Sequence, residues 1–164
     1  MEKVLNFIDN TKPDHSYFMR EALKEARKAL NSGDVPVGAV VVYENRIIGK
    51  GYNQVELLHD PTAHAEMIAI TSATATIGEK WLREATLYVT VEPCSMCAGA
   101  SVLARLKSVV YGVQDIKTGA HSSVINLLND TRLNHQIEVI PGILREECAF
   151  LMVEFFEGLR NSQK

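Results

Sequence analysis

The chain has 164 residues, 46% hydrophobic and 23% charged, with a formal net charge of −3, which fits one domain able to bury a core of its own. This mild acidity offers no basic footprint of the kind that nucleic-acid-binding proteins usually carry, so composition alone does not suggest RNA. The longest apolar run, Val37 to Tyr43, is far too short for a bilayer, Met1 to Asp14 lacks the basic start and apolar stretch of a signal peptide, and three cysteines suit a reducing cytoplasm and not a disulfide framework.

Weak periodicity and the Lys12-Pro13 break make residues 1–15 a loose N-terminal extension, leaving 16–164 as one domain. Phe18, Ala22, Ala26 and Ala29 recur at helical spacing over Tyr17 to Leu30, and Asn31-Ser32-Gly33 stops that helix. Pro36 to Tyr43 and Arg46 to Tyr52 are β-rich runs around Glu44-Asn45, a hairpin. Asn53 to Asp60 is a polar loop, and Asp60-Pro61 has the form of a helix start, Asp as cap and Pro first, with Gly78 ending that helix after Ile77. Thr86 to Glu92 alternates as a strand, Pro93 breaks it, and Cys94 to Leu106 is helical. Ser108 to Val113 is a buried strand, Gln114 to Gly119 a polar loop, and Gln136 to Ile140 a short strand. A last helix opens at Pro141-Gly142 and runs to about Arg160, with Ile143, Cys148, Leu151, Phe155 and Leu159 on its apolar side. Strand pair, helix, strand, helix, strand, helix predicts an α/β sandwich with helices on both faces of the sheet.

His64-Ala65-Glu66, followed thirty residues later by Pro93-Cys94-Ser95-Met96-Cys97, carries the chemistry. One imidazole and two thiols leave a tetrahedral zinc one ligand short, and a catalytic zinc keeps that place open where a structural one fills it. Cys148, the remaining thiol, sits in an apolar helical stretch and reads as a small buried residue. Cys-x-x-Cys alone also serves redox pairs and structural zinc, but a redox pair has no use for His64 or Glu66, and a structural zinc would lack its fourth ligand here. Glu66 is not required for the ligand set and is free to move protons. The order His-x-Glu…Pro-Cys-x-x-Cys is the signature of zinc nucleobase deaminases. Residues two apart on an ideal helix point about 200° from each other, so His64 is expected at the very start of its helix. Cys94 and Cys97 lie near a second helix N-terminus, where oriented N–H groups favour thiolates.

With these residues placed, the chain resembles the bacterial tRNA-specific adenosine deaminases of the cytidine deaminase-like superfamily, from about Phe18 to Arg160. The likeness rests on Asp34 to Val40, Asn53, His59 to Glu66, Thr86 to Ala100, Asp115 to Ala120, Asn134-His135, and Gly142 to Leu144 with Glu147-Cys148. His121-Ser122-Ser123 departs from it, standing where smaller residues are expected. The resemblance implies a three-layer α-β-α fold around a mixed five-stranded sheet, one zinc per subunit, a homodimer, and deamination of the wobble adenosine of a tRNA anticodon loop to inosine, with an arginine tRNA as substrate. It makes His64, Cys94 and Cys97 the metal ligands and Glu66 the general acid and base, passing a proton to N1 of the base and assisting loss of ammonia. It gives Asn53 and the Ala65 N–H to the flipped base, and Asp115, Lys117 and Thr118 to the RNA.

Bland readings stand beside several of these. Val35 and Val91 either wall the base pocket or belong to the core, and the loop from Asp115 to Thr118 is otherwise a solvated turn. His59 is an RNA contact or a cap, and Phe156, not Phe155, keeps the option of stacking on bases. Two other functions compete. A deaminase of a free base or nucleoside, guanine or cytidine, would share the zinc motif, and a non-catalytic zinc-stabilised RNA-binding protein would have no use for Glu66.

Overall fold

The helical spacing after Tyr17 becomes α1 (His15–Asn31) in a computed structural model of the chain, which describes residues 14–163. Asp14 caps this helix, accepting from the Tyr17 N–H at 3.1 Å. Most of the expected loose extension lies outside the described residues, and its last two, Asp14 and His15, belong to the helix start. There follow β1 (Gly38–Tyr43), β2 (Arg46–Tyr52), α2 (Val55–Leu58), α3 (Ala65–Ile77), β3 (Thr86–Val91), α4 (Ser95–Leu103), β4 (Ser108–Val113), β5 (Glu138–Pro141) and α5 (Arg145–Ser162). Glu44 and Asn45 join β1 to β2 with φ of 47° and 58°, the two-residue turn whose twist matches its strands.

The sheet runs β2-β1-β3-β4-β5. β1 is antiparallel to β2 and β3, while β3, β4 and β5 are parallel, giving the mixed five-stranded sheet that the resemblance implies. Ala39, Val41, Leu87, Val89, Val109 and Tyr111 pack with Ala65, Ala69 and Ala73 of α3 and Ala98 and Val102 of α4. Val40, Val42, Tyr88 and Val110 pack on the other side with Phe18, Met19 and Ala22 of α1 and Cys148 of α5. Covered on both faces, the central strands read as continuous apolar runs. Gly51 lets α3 lie directly on β2, because a Cβ there would strike the Ala65 carbonyl.

Several boundaries differ from the sequence reading; β1 begins at Gly38 and not Pro36, and β5 at Glu138 and not Gln136. Asp60-Pro61 opens a turn, not a helix: the Ala63 N–H donates to the Asp60 carbonyl at 3.1 Å and the Thr62 N–H to its carboxylate at 2.8 Å. Pro with a preceding Asp suits a turn as well as a helix start, and α3 begins at Ala65. The polar loop holds one helical turn, α2, closed by His59 in the left-handed region (φ 53°). α4 ends at Leu103 and not Leu106, and Pro141 completes β5, so α5 starts at Arg145. Of its expected apolar side, Cys148 and Leu151 are buried, but Leu159 is exposed. Residues 114–137 form no helix or strand, yet Ala120, Leu128 and Ile137 enter the core. No helix of the described residues is long and apolar enough to cross a membrane.

Candidate active site

Strand direction gathers the site at one end of the sheet. Because β1 runs against β2 and β3, its entry through Val35 and Val37 lies beside the exits of β2, at Asn53, and of β3, at Val91. Gly38 pairs with Tyr52, Ala39 with Val89, and the Asn53 N–H donates to the Val37 carbonyl at 3.0 Å. β4 leaves the sheet at the same end, with Val113 opposite Val91, and delivers the loop at Asp115. Ligands of open α/β sheets are held beyond the carboxyl ends of parallel strands in this way.

His64 is the N-cap of α3, in extended conformation, with Glu66 in the first turn. The helical clash of directions is thus avoided, as the spacing required. Cys94 is likewise the N-cap of α4, and Cys97 lies within its first turn. Nδ1 of His64 stands 3.6 Å from Sγ of both Cys94 and Cys97. The three ligand atoms lie within 4.8 Å of one another. A tetrahedral zinc at ordinary bond lengths places its nitrogen and sulfur ligands about 3.5–3.6 Å apart. The group present therefore fits the ion in donor type, number and spacing, with one tetrahedral position left over.

The electrostatics suit a cation. Hydrogen bonding from Cys97 brings the Cys94 thiol down to about 4 against the opposing effect of burial, and giving that bond raises Cys97. His64 is raised chiefly by its contact with Cys94. Burial pushes the Glu66 carboxyl up to about 7. Only 4% of Glu66 is exposed, and no salt bridge engages it among the described residues.

A cavity of about 290 Å³ opens over these groups, at the small end for a ligand site. Val35, Asn53, His64, Glu66, Val91, Cys94, Asp115 and Thr118 line it together. Cys97 and Ala65 are fully buried beneath its floor. As the first residue of α3, Ala65 has no intrahelical acceptor for its N–H. Lys117 stands apart, on an adjoining apolar groove with Ile116, Val153 and Phe156. Asn53 is 7% exposed, and its side chain makes no hydrogen bond among the described residues, which leaves the amide for an occupant of the cavity. The Asp115 carboxylate is spent largely on its own loop, accepting from the Lys117 and Thr118 N–H groups at 2.9 and 3.2 Å and from the Thr118 hydroxyl at 2.6 Å.

Sequence reading did not single out Asp34, Glu92 or Met152, which also line the cavity. Asp34 accepts from the Glu56 and Leu57 N–H groups at 2.9 and 3.2 Å and so fixes α2 beside Asn53. Its place before Val35 was the available signal. Met152 follows the buried stripe of α5 by one residue, and nothing in its spacing separates it from surface.

A mixed sheet between two helical layers, with His64, Cys94 and Cys97 converging beside a free carboxyl, defines a hydrolytic deaminase of the cytidine deaminase-like fold. The comparisons with known proteins agree and go further. The MafB19-like deaminase family matches residues 13–160. A tRNA-specific adenosine deaminase of Bacillus subtilis (strain 168) is 48% identical over 90% of this chain and 91% of its own. A solved structure from studies of A-to-I editing by tRNA:A34 deaminases at the wobble position is 40% identical, covering 83% of this chain and 99% of that one with a TM-score of 0.80. Guanine deaminase from Bacillus subtilis superposes less well, at a TM-score of 0.59 with 34% identity over 74% of this chain and 87% of its own. The chain belongs to the MafB19-like deaminases and, among them, to the tRNA-specific adenosine deaminases.

Proposed function

We propose that this chain deaminates the wobble adenosine of a tRNA anticodon loop to inosine, with an arginine tRNA as its first candidate substrate. The observation that carries the chemistry is the triangle of His64, Cys94 and Cys97 with the Glu66 carboxyl beside it. The tRNA substrate is supported by relatives whose names give them that specificity.

One zinc per subunit would be held by His64, Cys94 and Cys97; when bound it supplies Lewis acidity and brings the pKa of a water toward ~7. The chain's own residues do the rest. Glu66 takes a proton from the attacking water and gives it to N1 of the base, then carries a second, from the hydroxyl left at C6, to the amino group, which departs as ammonia; no salt bridge engages it among the described residues. Asn53 and the Ala65 N–H orient the base by hydrogen bonds. Val35 and Val91 flank it, and a cavity this small admits one base and excludes most water. An adenosine in an anticodon loop reaches it by flipping out, which costs least in an unpaired loop. The neighbours of the flipped base then fall on the groove of Ile116, Val153 and Phe156, apolar surface suited to stacking. Such an enzyme acts as a homodimer in the cytoplasm, where its substrate is.

The test incubates the zinc-loaded protein with an arginine tRNA transcript and, separately, with guanine, cytidine and adenosine. Inosine at the wobble position alone is the expected product. Turnover of a free base with an untouched tRNA would overturn the substrate assignment and leave the deaminase chemistry standing.

A further inference from the structure

Glu92 follows β3 by one residue and precedes Cys94 by two, and only 2% of it is exposed. A carboxylate buried to this degree is costly unless its charge is compensated. No salt bridge compensates it among the described residues. Backbone does so instead. One oxygen accepts from the N–H groups of His121, Ser122 and Ser123 at 3.0, 2.9 and 3.2 Å. The other accepts from the Asp115 N–H at 3.1 Å and from the Ser123 hydroxyl at 2.5 Å. Three successive N–H groups converging on one oxygen form an anion-holding nest, here closed around a side chain of the same protein.

All five donors come from residues 115–123. Gly119 brings that segment down onto the carboxyl, since a Cβ at Gly119 would fall on Glu92. The Ala120 N–H donates to the Pro93 carbonyl at 2.8 Å and anchors the same segment to the strand exit that leads into Cys94. Asp115 and Thr118, on the cavity wall, and Ile116 and Lys117, on the groove beside it, are carried by this segment. A carboxylate offers about four lone-pair positions, so five donors leave Glu92 none for a substrate although it borders the cavity. Glu66 has no comparable set of loop donors and is the acid left to move protons.

We propose that Glu92 is a positioning residue, holding residues 115–123 at the cavity mouth and thereby setting how tightly the anticodon loop is bound. The proposal rests on the tRNA reading above for its substrate. Glu92→Gln is the informative variant. Its remaining carbonyl can keep the N–H groups of residues 121–123, and the Ser123 hydroxyl can turn to accept from the new amide. The amide cannot accept from the Asp115 N–H, so that contact alone is lost.

The experiment compares wild type, Glu92→Gln and Glu92→Asp for zinc content, amide hydrogen exchange, and steady-state deamination of an anticodon stem-loop with adenosine at the wobble position. Glu92→Gln should hold one zinc per subunit and keep kcat within a few-fold. It should raise KM about tenfold, the scale of a lost hydrogen bond to a charged group, and speed exchange at Asp115 selectively. Glu92→Asp, which keeps the charge with a shorter reach, should fall between the two in KM. Wild-type KM with wild-type exchange at Asp115 overturns the proposal, as does a fall in kcat at unchanged KM or a loss of zinc. If the wild type leaves the stem-loop unchanged, it is the tRNA reading that fails, and exchange at Asp115 alone then decides whether Glu92 anchors the loop.

Discussion

Five acids line one small cavity, and hydrogen-bond partners separate the roles of three of them, Asp34, Glu66 and Glu92. Asp34 is occupied by two N–H groups of α2, Glu92 by five donors of one loop, and Glu66 is left beside the ligand triangle. Glu66→Ala removes that carboxyl and leaves all three ligands in place. The variant should therefore keep its metal and its melting temperature and lose about 10²–10⁴-fold in kcat; retention of more than about a tenth of wild-type activity would give the proton shuttle to another group. The loop residues should differ in kind. Lys117 is exposed at the groove and makes no hydrogen bond with its side chain among the described residues, so it is available for a phosphate. Lys117→Ala should lower the slope of log affinity against log salt by about 0.7–0.9, the value of one phosphate contact. Asp115→Ala, which removes the acceptor for Lys117 and Thr118, should weaken binding at every salt concentration with the slope unchanged. A salt series of tRNA affinities, with metal content as control, checks both, and identical slopes for wild type and Lys117→Ala would take that lysine off the phosphate backbone.

Elements whose residues repeat with a period were legible in the sequence, and those set by a few local bonds were not. β2 and β4 fall where their β-rich and apolar runs put them, and the end of α3 at Gly78 was written in the chain. Asp60-Pro61 misled because one dipeptide serves a helix start and a turn, and only the return of the Ala63 N–H to Asp60 separates them. α2 depends on Asp34, which accepts from Glu56 22 residues further on, so no local pattern announces it. The ligand set was readable because metal chemistry demands fixed residue types at fixed spacing, whereas Glu92 looks like any acid at a strand end until the loop that satisfies it is in view. The same dependence on distant contact governs α3, which carries His64 and Glu66 at its N-terminus and is held against β2 at Gly51. Gly51→Ala should push that helix off the sheet. Overpacking of this kind typically costs about 1–3 kcal/mol, and because the contact is with backbone it should also displace His64. The expected outcome is a lower melting temperature together with less bound zinc. A destabilised protein with full metal content would show that the helix shifts without moving its first turn.

A net charge of −3 makes one subunit a poor surface for an anticodon stem-loop, so the whole molecule must concentrate its basic residues in some other way. We propose that the chain does this as a homodimer, in which residues of two subunits frame one RNA site. Apolar surface is available for it: Leu57 and Leu58 on α2 are 53% and 55% exposed, and Leu103 on α4 is 78% exposed. Leu58 continues into a groove with Ala63, Met67 and Ile68 along α3. None of the three exposed leucines lines the cavity, so they can be changed without touching the site. Leu58→Glu combined with Leu103→Glu should shift the protein from dimer to monomer in sedimentation. The monomer should retain its zinc, because His64, Cys94 and Cys97 all come from one chain. Activity on tRNA should nevertheless fall by about tenfold or more, the scale of losing a central apolar contact in an interface. A monomeric variant that deaminates tRNA at the wild-type rate would mean that one subunit frames the anticodon loop alone. The loop at Asp115 to Ser123 and the exposed face of α5 would then have to hold the RNA without help.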